Sequence, residues 1–120
     1  MSQKVYSGYL GQSIQGIPVN IANGATESDV IPLNGMGLCG IVLPAAFTST
    51  ALTFEACDTA SGTYVPVKST TSGSAISYTV AQGTYAAIDP KDFVGIQFLK
   101  IKAGTAEGAA RVLLVSLKGA

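Results

Sequence analysis

The sequence predicts an all-β protein, an antiparallel β-sandwich with jelly-roll-like topology and about eight or nine short strands. Three observations predict it. Gly, Pro, Asn or Asp interrupts the chain at intervals of roughly ten residues, the spacing of turns between short strands. The intervening runs are rich in Val, Ile, Leu, Thr, Tyr and Phe, residues that fit a pleated surface. No window sustains a helical period over several turns. The chain has 120 residues, 48% of them hydrophobic, enough for one domain with its own core.

Taken in order, Ile17-Pro18-Val19-Asn20-Ile21 alternates, with Ile17, Val19 and Ile21 toward the core, and Asn23-Gly24 turns the chain. Ser28 to Leu33 is the next run, where Pro32 marks an edge or a strand end. Leu38 to Leu43 is apolar on both parities, which predicts cover on both faces, and Pro44 ends it. In Ala51 to Cys57, Leu52, Phe54 and Ala56 point one way and Thr53, Glu55 and Cys57 the other. Asp58 to Gly62 reads as a turn, Tyr64 to Val67 as a strand and Ser69 to Ser74 as a polar loop tip.

Ile76, Tyr78 and Val80 share a face, and Gln82-Gly83 leads into a strand from Thr84 to Ile88. Asp89-Pro90-Lys91-Asp92-Phe93 predicts one helical turn at 90–94, with Asp89 as N-cap and Pro90 at the first helical position, closed by Gly95. Ile96 to Lys102 turns Leu99 and Ile101 inward and Lys100 and Lys102 outward. Gln97 shares the inward parity, so a bulge or two-faced burial is expected there. Ala103 to Gly108 is a loop, and Ala110 to Leu117, almost continuously apolar, predicts a central strand.

Residues 17–120 thus form a single sandwich domain, and residues 1–16 differ from it. Tyr6, Tyr9 and Leu10 are interleaved there with Gly8, Gly11 and Gly16. This segment reads either as an extra strand on its own sandwich or as an arm lying on a neighbouring subunit. In the second case Tyr6, Tyr9 and Leu10 are the partner contacts, because tyrosine gives large contact area with few rotors.

Composition excludes several functions. Only 12% of residues are charged, against a usual share of about 25%. Seven Lys and Arg balance seven Asp and Glu without a basic cluster, so nucleic-acid binding is not expected. No apolar run approaches the ~20 residues of a membrane-spanning helix. Met1-Ser2-Gln3-Lys4 carries no apolar signal region, which predicts synthesis in a cytoplasm without export. Cys39 and Cys57 read as small, reduced, buried hydrophobes.

No catalytic constellation is visible, and the sequence predicts no enzyme, no cofactor and no metal. There is no histidine to serve as base for a Ser or Cys nucleophile. Two carboxylate pairs, Glu27 with Asp29 and Asp89 with Asp92, are close enough in sequence for acid–base work, but structural duties explain both, capping in the second case. Asp58 alone does not make a calcium site. Tyr64, Tyr78 and Tyr85 lie in strands, where packing explains them better than a sugar-binding platform.

The stretch from Ile17 to Leu117 carries a familiar pattern. It runs through Ile21-Ala22-Asn23-Gly24-Ala25, Ser28-Asp29-Val30-Ile31 and Gly40-Ile41-Val42-Leu43-Pro44-Ala45-Ala46-Phe47. It continues with Leu52-Thr53-Phe54-Glu55-Ala56, Asp89-Pro90-Lys91-Asp92-Phe93 and Phe98-Leu99-Lys100-Ile101-Lys102-Ala103-Gly104-Thr105. This resembles small virion proteins of tailed bacteriophages, among them the capsid decoration, or cement, proteins. The resemblance implies a β-sandwich subunit, a homotrimer, the major capsid protein as partner, and a place on the capsid surface after synthesis in the bacterial cytoplasm. It implies no catalytic residue. Tail, baseplate and fibre modules that bind a host glycan are the alternative it leaves open.

Overall fold

The computed structural model describes residues 14–69 and 71–119. Nine strands and one 3₁₀ turn make up these residues: β1 (Ile14–Ile21), β2 (Ile31–Pro32), β3 (Gly37–Val42), β4 (Ala51–Cys57), β5 (Val65–Pro66), β6 (Ser77–Thr79), β7 (Tyr85–Ala87), the turn Pro90–Phe93, β8 (Phe98–Ala103) and β9 (Arg111–Lys118). They form two antiparallel sheets. One has the order β1-β9-β3-β7, the other β2-β8-β4-β5, with β6 also on β4.

The pairing is nested. The first strand pairs with the last (β1 with β9), the second with the next to last (β2 with β8), then β3 with β7 and β4 with β6. The chain behaves as one long hairpin wound so that successive pairs fall in opposite sheets. β5 and β6 share one edge of β4, joined by a small excursion closed at Lys68 and Ala75.

Alternation places the core between the sheets. Val19 and Ile21, Leu38 and Ile41, and Leu113, Val115 and Leu117 face inward from the first sheet, and Leu52, Phe54, Leu99, Ile101 and Ala103 from the second. Ile76 and Val80, on either side of β6, are buried as their shared parity predicts, while Tyr78 is half-buried against the core. An aromatic cluster lies within it. Phe54 meets Phe93 edge-on with ring centres 5.0 Å apart, and meets Tyr78 edge-on at 6.0 Å.

Turn chemistry sets the ends. Gly24 has φ +79° in the turn closed by Ala25 N–H donating to Ala22 O. Asn34 and Gly35 both have positive φ (53° and 82°) and connect β2 to β3. Asp89 caps the 3₁₀ turn by accepting from Lys91 N, with Pro90 in its first turn. Pro18 lies in β1, an edge strand, where a missing N–H on the outer side loses no ladder bond and blunts the edge.

The sequence expectations differ from the structure in detail. β1 begins at Ile14, ahead of the expected start at Ile17. β2 shrinks to Ile31–Pro32, because Ser28 spends its side chain as a backbone substitute: its Oγ accepts from Ile101 N at 2.9 Å and donates to Asp29 O at 2.8 Å. β8 starts at Phe98, so Gln97 precedes the ladder, and its exposed position involves no inward burial. Cys39 and Cys57 are half-buried rather than buried, free, and lie in different sheets.

Candidate functional site

The outer face of the β1-β9-β3-β7 sheet is the candidate site. Inward Leu113, Val115 and Leu117 alternate with outward Val112, Leu114, Ser116 and Lys118. β9 is central, as predicted, yet its outer side has no cover among the described residues: Val112 is 54% and Leu114 46% exposed. Register aligns Leu114 with Pro18 on one side and Val42 on the other, and Val42 with Tyr85. Pro18, Leu114, Val42 and Tyr85 therefore form one apolar row across all four strands of the sheet, and Tyr85 is 57% exposed.

Beside that row, Gly16, Ser116, Gly40 and Ala87 are aligned in the same way. Gly40 gives the Tyr85 ring room to lie flat, while a side chain at Gly16 would meet Leu114 only in ordinary contact. A Cβ on Gly40 would fall 2.0 Å from the Tyr85 hydroxyl and 2.4 Å from Cζ, and a Cβ on Gly16 would touch Leu114 Cδ1 at 3.7 Å. The Tyr85 hydroxyl reaches the Ser116 hydroxyl at 3.4 Å, which pins the ring across β3. The result is a flat surface on which, among the described residues, Lys118 at the far end of β9 is the one charged residue.

Charge collects on the opposite sheet. Lys100 pairs with Glu27 at 3.8 Å and Lys102 with Glu55 at 3.9 Å, and the Lys100 ammonium sits 4.5 Å from the centre of the Tyr64 ring. Burial raises the Glu55 pKa above 4.5, and the hydrogen bond and charge of Glu27 raise it further, against the lowering pull of Lys102 and Lys100. Glu55 Oε1 is buried without a hydrogen-bond partner. Among the described residues, no three Cys, Asp or Glu side chains converge as metal ligands.

A polar cluster ties the loops together at one end of the sandwich. Glu107 is 1% exposed, and its carboxylate accepts from Thr48 N at 2.8 Å, Ser49 N at 3.0 Å and Arg111 Nε at 2.9 Å. Its backbone joins the turn after β1: Glu107 N–H donates to Ala25 O, and Gly24 N–H donates to Glu107 O. Burial alone would raise the Glu107 pKa, but these donors outweigh it and hold the carboxyl below its ordinary value. This is a scaffold, since every oxygen is already committed to the protein.

Of the sequence-predicted contacts, Tyr6, Tyr9 and Leu10 lie outside the described residues. Of the carboxylate pairs, Glu27 turns to Lys100 and Glu55 while Asp29 accepts from Asn20 Nδ2 at 3.2 Å, and Asp89 serves as the cap of the turn that carries Asp92. Tyr64 and Tyr78 are half-buried, and Tyr85 is the exposed ring of the three. Sequence reasoning missed the open face of β9. Its only signal was a run apolar on both parities, which reads equally as cover by the chain itself.

No family model and no curated protein sequence matches the chain. Among solved structures, the crystal structure of the SPBc2 prophage-derived protein YomS is similar, with a TM-score of 0.59 and 12% identity over 90% of this chain and 95% of that one. Likeness at that identity establishes a common architecture, so the two-sheet sandwich of this chain is a fold shared with a prophage-derived protein.

Proposed function

We propose that this chain is a structural virion protein of a tailed phage, a capsid decoration protein that binds the outside of the assembled head and stabilises it. The observation that carries the reading is the flat, mostly apolar outer face of the four-stranded sheet, with Val112, Leu114 and Tyr85 exposed. Exposed apolar patches of this kind mark protein contact surfaces. The nested strand order supports a jelly-roll reading, an architecture used by viral capsid and lectin domains. The fold shared with a prophage-derived protein agrees in origin.

On this reading the molecule has no catalytic role and supplies contact area. Its partners are the major capsid protein and its own copies in a homotrimer, with no nucleic acid and no membrane. It is made in the bacterial cytoplasm and ends on the capsid surface. Closed symmetry lets one surface meet several lattice sites, and linked sites gain avidity. Binding the shell but not the free subunits then stabilises the shell by mass action. Cryo-electron microscopy of the parent virion tests this: the sandwich should be visible as threefold clusters on the head. Density for it on the tail or baseplate, or none on the particle, overturns the proposal.

A further inference from the structure

We propose that the outer face of the β1-β9-β3-β7 sheet receives residues 1–13 of a second copy of this chain, so that the apolar row is the seat of an exchanged arm. The inference rests on the self-association in the proposed function and names its contact surface. It starts from the row Pro18, Leu114, Val42 and Tyr85, which crosses the whole sheet, with Leu114 46% and Tyr85 57% exposed. Such a face is unusual beside the rest of the molecule, where Glu27, Glu55, Lys100 and Lys102 gather on the opposite sheet. A row without charged side chains matches an occupant that carries only one.

Residues 1–13 have that chemistry. They carry Val5, Tyr6, Tyr9 and Leu10, and Lys4 is their one charged side chain. They lead into β1 at Ile14, which pairs with Lys118 at the end of this same sheet. β1 thus enters the sheet at the end where Lys118 lies. Fully extended, the segment spans up to ~43 Å, against a sheet of four strands only ~15 Å across between outer strand axes. It has the reach to cross a neighbour's entire row.

Area favours the exchange. The outer face measures roughly 400 Å², about half of the ~800 Å² per partner that a stable interface buries. Two bare faces pressed together fall short. A face that also receives a neighbour's arm, and gives its own in return, makes up the difference, because each chain then contributes two surfaces. Tyr and Leu side chains of the arm would pack between Leu114, Val42 and the flat Tyr85 ring, where rigid aromatic contacts are most effective.

The test uses the full chain. A photo-reactive benzoylphenylalanine at Tyr9 is irradiated in an equal mixture of isotopically heavy and light protein, and the cross-linked peptides are identified by mass spectrometry. Cross-links from Tyr9 to residues 111–118 or 84–88 that join heavy to light chains are expected. Cross-links confined to one chain, or to other surfaces, overturn the proposal. In sedimentation, Leu114→Lys and the double variant Tyr6→Ser/Tyr9→Ser should each weaken association at least about tenfold. Their circular dichroism should remain that of the folded sandwich, since Leu114 is 46% exposed and the arm, on this proposal, packs on a neighbour. Oligomers that persist in both variants, or a wild-type chain that stays monomeric at high micromolar concentration, overturn it. Binding to assembled heads is measured separately. Heads that bind the chain without the cross-link sink this inference and leave the decoration role standing, whereas the cross-link without head binding does the reverse.

Discussion

Arg111 holds Glu107 through an Nε–Oε1 hydrogen bond of 2.9 Å, while the same carboxylate accepts the backbone N–H groups of Thr48 and Ser49. One side chain thus joins the loop after β3 to the loop before β9, and its backbone adds the turn after β1. Replacing Glu107 by Ala orphans the buried Ser49 N–H and the part-buried Thr48 N–H, and leaves Arg111, only 15% exposed, with the Thr48 hydroxyl in place of its carboxylate partner. Breaking a buried pair of this kind costs about 3–5 kcal/mol. Urea unfolding of Glu107→Ala at neutral pH should show that loss, with an unchanged m-value.

The same carboxyl gives a pH dependence. Its folded pKa is lowered, because the donors from Thr48, Arg111 and Ser49 outweigh the effect of burial. A depressed carboxyl stabilises the fold above its ordinary unfolded value of 4.5, and that stabilisation is lost as pH falls through the lower folded value. Wild-type stability should therefore drop in acid below 4.5, and Glu107→Gln should flatten that part of the curve. An unaltered acid limb in Glu107→Gln excludes this carboxyl as the cause.

Glu55 has the opposite sign. Burial and the facing Glu27 carboxyl raise its folded pKa, so protonation is favoured in the fold. Its contribution is complete below 4.5 and is lost as pH rises through the raised folded value. Glu55→Gln, uncharged at every pH, should be as stable as wild type in mild acid and more stable at neutral pH. Thermal melts at the two pH values measure this directly. A variant less stable than wild type at neutral pH would mean that the Lys102 ion pair outweighs the combined strain of burial and Glu27.

How much of this was legible in the sequence depends on range. Alternation in Ala51–Cys57 placed Leu52 and Phe54 inward correctly, and Asn23-Gly24 and Asp89-Pro90 marked a turn and a cap, because those rules act within a few residues. The face of β9 was not legible, since Val112 and Leu114 obey the same hydrophobic pattern whether the cover comes from this chain or another. Nor was Glu107. Its partners Thr48 and Ser49 lie 59 and 58 residues away, and backbone N–H groups leave no trace in residue identity.

Gly40 beneath Tyr85 makes the flatness of the proposed docking face testable. In Gly40→Ala the new Cβ collides with the end of the Tyr85 ring, which is exposed and free to swing outward. The fold should lose no more than ~1 kcal/mol, as for other surface-side substitutions. The Tyr85 hydroxyl would leave Ser116, and a ring standing up from the sheet would obstruct any partner lying across Val42 and Leu114. Tyr85 ring resonances in NMR should shift while the core methyl signals stay in place, and association should weaken. If the ring signals do not move, the close packing of Tyr85 over Gly40 is wrong, and with it the description of the face as flat.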